Sequence, residues 1–548
     1  MSGVLVAVPA VPLFAAIVII MLGATSAAAA RLAIGASALA CAAAAAVLVA
    51  VGIDGPLSAV VTGDDGSAVF GLFADRVGAI LILLTTIVGV IVQSFASRSL
   101  RSDPQARRFH VLALVLTAAT SLVAITATAS GFVVAWIATS VVLVALVGHR
   151  APWAPAVAAR RRTGWSFFIG DSALVLAIIV TLVLFGDIDM RSVGAAVVPL
   201  DGEQIVGLSA LTVVAVLLVG AGIARSALVP IHRWLPSTLA APTPVSALLH
   251  AGVINGAGVL LIRFSPIFAS STTAMAVAFA IGMVTALLAT AVMLVRPDVK
   301  GGLVWSTSGQ MGFMVLQLGV GAFAAALFHI VGHAFYKAAM FLGAGGAISA
   351  HHRQQQRPHL GTTEQTVLTS APARLFIGLI VPIATFALAL VVIDPHLTAS
   401  ATILIVVFGA LSVGRAANGW ITSAPFAVPT TIATATISVV AAVFAYVGGI
   451  TVFEHFVVDV VPYDVPAAVG PVWVAATLGA IAVAVMVVAL TPGQRGQALR
   501  RRVYSWLLST GSAAPRSAKA HPVTIGSQAP TTSFESELTP RVTIGGPA

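Results

Sequence analysis

Charge is scarce in this sequence. Only 8% of its 548 residues are Asp, Glu, Lys or Arg, against 59% hydrophobic. A soluble fold of that length cannot cover so much apolar surface with so few charges. Lysine is scarcer still, with only Lys300, Lys337 and Lys519. Cysteine is nearly absent: Cys41 stands alone, which excludes intramolecular disulfides and cysteine-ligated metal sites. The opening MSGVLVAVPAVPLFAAIVIIML has no basic n-region, so it reads as a first span rather than a cleaved signal peptide. Short alternating segments separated by turns do not dominate, which argues against a β-barrel.

What the chain has instead is long apolar runs, with a mean hydropathy of +1.05. Runs of ~20 residues match the ~30 Å hydrocarbon thickness of a bilayer. About 15 candidate spans lie near 4–24, 33–53, 76–97, 110–128, 131–148, 167–185, 206–225, 242–262, 272–295, 302–321, 323–348, 373–393, 401–420, 427–448 and 470–490. This is the pattern of an all-α polytopic membrane protein. The net charge of +10 does not point to nucleic acid, because the basic residues sit in short loops between apolar runs.

Loops after odd-numbered spans carry Arg31, Arg98, Arg107, Arg150, Arg160, Arg233, Arg296, Lys300, Arg353 and Arg415. Loops after even-numbered spans carry Asp54, Asp64, Asp65, Asp187, Asp189, Asp394, Glu454, Asp459 and Asp464, with Arg191 and Arg263 as exceptions. Counting Lys and Arg alone, the positive-inside rule puts the N-terminus outside and the C-terminus in the cytoplasm of a multi-pass cell-membrane protein. Beyond Pro492 comes a basic stretch, RGQALRRRVYSWLL, expected along the inner interface. A Ser/Thr/Pro/Ala-rich tail with VTIG at 523–526 and 542–545 follows and is expected to be disordered.

Ionisable groups at membrane depth cost roughly 3 kcal/mol on insertion scales, so they normally face protein or water. In FHIVGHAFYKAAMFL, His329, His333 and Lys337 recur every fourth residue and stack along one helix face. That stripe reads as a proton relay, against the plainer reading of one or two interhelical hydrogen bonds. In GIARSALVPIHRWLPSTLAAPTPVSALLHAGVINGAG, Arg225 is followed by Pro230, Pro236, Pro242 and Pro244, which rule out an uninterrupted helix. Backbone freed by such breaks survives at membrane depth only inside protein or beside a cavity. His250, Ser246 and Asn255 follow there. Asp171, in SFFIGDSALVLAI, either pairs with a buried cation or sits at the interface. In RPDVKGGLVWSTSGQMGFM, Lys300 reads as an interfacial helix start. Ser306, Thr307, Ser308 and Gln310 read as a hydrated lining or as interhelical hydrogen bonds.

Three blocks, WLPSTLAAPTPVSALLHAG, DVKGGLVWSTSGQMGFM and FHIVGHAFYKAAMFL, resemble in order and spacing the antiporter-like membrane subunits of respiratory complex I and of Mrp-type cation/proton antiporters. The resemblance implies two inverted five-helix repeats, each with a broken helix, and 14–15 transmembrane helices. It divides the chain into N-terminal helices (1–69), an antiporter-like core (70–420), C-terminal helices (421–492) and a basic segment with its tail (493–548). The first broken helix is expected at APTPVSALLH. By matching positions, His250, His329, His333 and Lys337 fall on the family's relay and Asp171 on its aspartate. Pro242, Pro244, Ser246, Asn255, Ser306 and Ser308 are then expected to line the channel.

Two positions depart from the family pattern. Ile137 follows Trp136 where the family has a glutamate, and Arg225 stands where it has a lysine. An arginine keeps its proton, so Arg225 is expected to act as a fixed charge. Further details resemble one branch, the DabB membrane subunits of DabA–DabB inorganic carbon accumulation complexes. That resemblance implies a large cytoplasmic DabA-like zinc partner related to β-carbonic anhydrases, zinc in that partner, and no cofactor in this chain. It implies energy coupling by H⁺ or Na⁺ rather than a stand-alone enzyme. The alternative is a proton-translocating subunit of a complex I-like or Mrp-like assembly.

Overall fold

The computed structural model describes residues 1–511 except 65, 67, 151, 152, 356–374, 424–427, 463, 464, 466 and 467. The serine-rich tail with its two VTIG copies, and the loop acids Asp65 and Asp464, lie outside the described residues.

Among the described residues, each of the fifteen apolar runs is mainly helical. Thirteen of these helices are long and apolar enough to cross a membrane. They are α1 (Ser2–Met21), α2 (Ser26–Asp54), α3 (Arg76–Ser99), α4 (Ala106–Ile125), α5 (Ala129–Val147), α6 (Ala154–Leu184), α8 (Thr243–Arg263), α9 (Thr272–Val295), α11 (Phe323–Gln355), α12 (Phe376–Ile393), α13 (Ala399–Ser423), α14 (Val428–Val457) and α15 (Pro471–Leu490). The other two are α7 (Ala210–Arg225), which is short, and α10 (Val299–Gly319), which is more polar. Helix α6 begins a full three turns before the apolar run, so Arg160, Arg161 and Arg162 are helical. The basic stretch forms a further helix, α16 (Gly493–Gly511), in which Arg500 donates to three carbonyls at the end of α15.

Side-chain oxygens satisfy the free N–H groups at several helix starts. Thr25, Asp75, Thr128, Ser209, Ser271 and Asp298 each accept from the backbone three residues on. Small residues set the closest helix pair. On α9 and α10, a Cβ at Gly282 or Gly312 would lie within 2.8 Å of the facing backbone. Without water to drive association, such contact is what packs membrane helices.

The loops converge in the two groups sorted by charge. On one face, Ala68 N–H donates to Asp189, Ala127 N–H donates to Gly71 O, and Arg76 pairs with Asp459 at 2.7 Å. On the other, Arg108 donates to Ala145 O, and His149 meets Asp103 at 3.2 Å. Burial lowers the His149 pKa although Asp103 opposes this. Both exceptions in the loop charges prove to be paired. Arg191 binds Asp189 at 2.5 Å and Gly66 O at 2.9 Å, while Arg263 binds buried Asp75 at 2.6 Å. Burial alone would raise the Asp189 pKa. Its hydrogen bonds from Arg191 and Ala68 outweigh that and hold it lowered.

On the acidic face, the loop after α2 is an antiparallel hairpin, Leu57–Thr62 with Ala68–Ala74. Its strands, six and seven residues long, are too short to count among the apolar runs that cross a bilayer.

Candidate ion-translocation site

Arg225, the last residue of α7, is 2% exposed. Its guanidinium binds Asp171 of α6 at 3.2 Å and donates to Trp136 O, Thr139 Oγ1 and Ser140 Oγ at 3.1, 2.9 and 2.6 Å. It lies over the rings of Trp136 and Phe167, 4.2 and 4.6 Å from their centroids. Trp136 Nε1 donates to the same Asp171 oxygen at 2.9 Å. Asp171 is therefore paired with a buried cation, which decides between the two readings left open by its position. Asp171 is the carboxylate that Arg225 binds, while Ile137, 36% exposed, offers none. The hydroxyls three and four residues after Trp136 complete the cage, at the spacing that shares a helix face.

After Arg225 the chain leaves helical geometry and runs through Pro230 to two short turns, Trp234–Ser237 and Thr238–Ala240. The broken helix expected at APTPVSALLH is α8, of which Thr243–Ala251 is an unbroken first segment. Pro242 is its N-cap and Pro244 lies in its first turn, where a missing N–H costs nothing. The interruption of α8 falls later, at Gly252, between Thr243–Ala251 and a 3₁₀ turn at Val253–Asn255. Asn255, with Gly252 and Arg225, lines a cavity of about 70 Å³ beside Trp136 and Thr139.

Lys337, on α11, is fully buried. Its Nζ donates to Ser306 Oγ at 2.6 Å and lies 3.4 Å from Leu303 O, both on α10. Neither partner carries a charge. His333 and His329 follow along the stripe, their rings 6.0 Å apart. Among the described residues, neither ring nitrogen of His333 has a hydrogen-bond partner, nor does His329 Nε2. His250 stacks on Phe341 at 4.2 Å, with Nδ1 3.0 Å from Thr307 Oγ1 and Nε2 unpartnered. Three successive residues of α10 thus reach three elements. Ser306 meets Lys337, Thr307 meets His250, and Ser308 donates to Ala227 O in the break after α7. Lys300 stands at the start of α10 as expected, and its Nζ also donates to Leu239 O and Ala241 O at 2.8 Å.

The sequence-predicted residues therefore fall into two clusters. Asp171 and Arg225 form one; His250, Lys337, His333 and His329 form the other. Of the predicted lining, Asn255 faces the cavity and Ser306 and Ser308 hold contacts on α10. Ser246 is buried at 2% exposure, and Pro242 and Pro244 only start a helix. The hydroxyl cage of Thr139 and Ser140 was missed, although its spacing after Trp136 was legible. An orphaned imidazole or a cation with neutral partners inside apolar helices requires water or an exchangeable ion close by.

The chain is thus a polytopic helical membrane protein with a broken span and a buried row of titratable groups. The model of the NADH:quinone oxidoreductase/Mrp antiporter transmembrane family matches residues 128–413, and the chain belongs to that family. It is 34% identical over 291 residues to the probable inorganic carbon transporter subunit DabB1 of Halothiobacillus neapolitanus, covering 53% of this chain and 52% of that protein. It is 33% identical to the probable inorganic carbon transporter subunit DabB of Bacillus subtilis, covering 50% and 54%. The chloroplastic NAD(P)H-quinone oxidoreductase subunit 5 of Zygnema circumcarinatum is 34% identical, covering 51% and 40%. The chain spans about half the length of the curated relatives it matches. Its fold is that of a chain in the Mrp complex from Dietzia sp., with a TM-score of 0.58, 20% identity and coverage of 93% and 59%. It is likewise similar to a chain of the archaeal membrane-bound sulfane sulfur reductase, with a TM-score of 0.57, 17% identity and coverage of 93% and 99%.

Proposed function

We propose that the chain is the membrane energy-coupling subunit of an inorganic carbon uptake complex. It conducts protons or Na⁺ down their gradient to drive a large cytoplasmic, zinc-bearing partner of the carbonic-anhydrase type. The N-terminus lies outside and the C-terminus in the cytoplasm. The observation that carries the conducting role is Lys337: a fully buried cation that meets a hydroxyl, a carbonyl and the Tyr336 ring but no carboxylate among the described residues, in line with two under-bonded histidines. With no counter-charge to fix it, the amine is suited to gain and lose a proton. Support for the carbon-uptake assignment comes from the similarity to the probable inorganic carbon transporter subunits of Halothiobacillus neapolitanus and Bacillus subtilis.

The alternative is a proton-translocating subunit of a complex I-like or Mrp-like assembly, favoured by the resemblance to the chloroplastic subunits. The Asp171–Arg225 pair weighs against it, since arginine cannot switch by giving up its proton. Deleting this gene together with that of its partner separates the two. The carbon-uptake reading expects failed growth at ambient CO₂ and rescue at high CO₂. Unchanged growth, with co-purified redox or Mrp subunits, would favour the alternative. A complex that stays intact with full uptake after Lys337→Ala would leave the chain a mere anchor.

A further inference from the structure

Among the described residues two carboxylates are deeply buried, Asp75 and Glu454, at 5% and 7% exposure. Asp75 is bonded to Arg263. Glu454, near the end of α14, has no lysine or arginine bonded to it among the described residues. Its Oε2 accepts from the His396 backbone N–H at 3.2 Å, and the His396 Nδ1 stands 3.9 Å from Oε1. His396 itself is mostly exposed, so one side of the pair reaches the acidic face while the carboxylate sits inside.

That carboxylate lines a cavity of about 20 Å³, whose opposite wall includes Gly321, Ala322 and Ala325. The volume suits one water or a bare cation. Lys337, His333 and His329 recur every fourth residue, and the same face of α11 continues back to Ala325. One turn, a rise of ~6 Å, separates Ala325 from His329. Beside that turn, Phe313 of α10 meets the His329 ring at 5.7 Å, and Gln310 and Gln317 flank it on the same face. Gln317 is 1% exposed, and Gln310 Oε1 has no protein partner among the described residues. A buried acid, a cavity and polar side chains thus line up with the stripe at the end away from Lys337.

We propose that Glu454, with His396 at its rim, is the loading site for a proton or a small monovalent cation at the acidic-face end of the Lys337 path. The inference rests on the conducting role argued above. Loading neutralises the buried carboxylate; passing the charge inward leaves it an anion again, which takes up the next proton or cation from the rim where His396 is exposed.

The test uses the full chain, purified with any complex it forms and reconstituted in vesicles enclosing a pH dye, with flux driven by an imposed potential. Glu454→Gln is expected to cut proton flux about tenfold or more, in keeping with the loss of a positioned proton-transfer group. His396→Ala should cut it less, and Glu454→Asp should retain part of it. If Lys337→Ala abolishes flux and Glu454→Gln does not, the loading site is overturned and the relay stands. If Lys337→Ala leaves flux unchanged, the conducting role fails and a second readout decides the site. His396→Cys, at the exposed rim and in a Cys41→Ser background, is expected to react with a membrane-impermeant methanethiosulfonate added from the acidic face. Na⁺ protection would identify Na⁺ as ligand, and its absence a proton. No reaction would overturn the site, and this readout does not require Glu454→Gln to fold.

Discussion

Two of the buried cations of this membrane domain, Arg225 and Lys337, live in different surroundings. Arg225 is held by a carboxylate, two hydroxyls, a carbonyl and two aromatic faces. Lys337 is equally buried but meets one hydroxyl, one carbonyl and the Tyr336 ring, with no carboxylate bonded to it among the described residues, where the histidines behind it have ring nitrogens without partners. A buried pair with its hydrogen bonds complete is fixed in place. A buried lysine without a counter-charge can change state at modest cost. Under the function proposed above, the Arg225 cluster serves structure and local field, and the Lys337 cluster movement of charge.

Stability measurements can break this comparison. The largest effect is expected for Arg225→Ala, which strands Asp171 and should cost ~3–5 kcal/mol, read as a lowered unfolding midpoint of the purified protein. An unchanged midpoint would mean that Arg225 is not the fixed member. Next is Gly256→Ala. A new Cβ there collides with the Arg225 side chain and comes within 3.1 Å of Trp136, so overpacking should cost ~1–3 kcal/mol. Because the clash is with the cage, Arg225→Ala in the same chain should relieve most of it.

Smaller effects sharpen the other side. Thr307→Val leaves His250 Nδ1 without its partner and should cost ~1–2 kcal/mol, with transport reduced through loss of ring orientation. Asp189→Asn loosens the hairpin clamp on the acidic face, costing ~1 kcal/mol because the pair is partly exposed. The Asp189 carboxyl is lowered in the folded state, so its contribution is present above the unfolded carboxylate range and fades as pH falls through the folded value. Wild type and Asp189→Asn should therefore converge in midpoint at low pH. Lys337→Met comes last, within ~0.5 kcal/mol of wild type, since replacing a poorly compensated buried charge with an apolar side chain is close to neutral. Its transport should nonetheless be lost. A large destabilisation by Lys337→Met would show that Lys337 is a structural tie like Arg225.

Much of this was legible in one dimension. Hydropathy located every long helix, because a ~20-residue apolar run has few other fates. Loop charge predicted which loops meet, and the His329, His333 and Lys337 stripe followed from a four-residue recurrence on a helix. The broken helix was legible, but the residue at which it breaks was not. Prolines 242 and 244 looked like interruptions, yet proline in a first turn is compatible with a helix, and the kink fell on Gly252.

The sequence by itself determined the class, the spans and the presence of costly charges, since local composition and period suffice for each. Only the tertiary structure decided what each charge means. Residues 171 and 225 are 54 positions apart and residues 306 and 337 are 31 apart. Whether a buried cation meets a carboxylate or only a hydroxyl depends on which helices pack together, and that choice separates a fixed charge from one able to move.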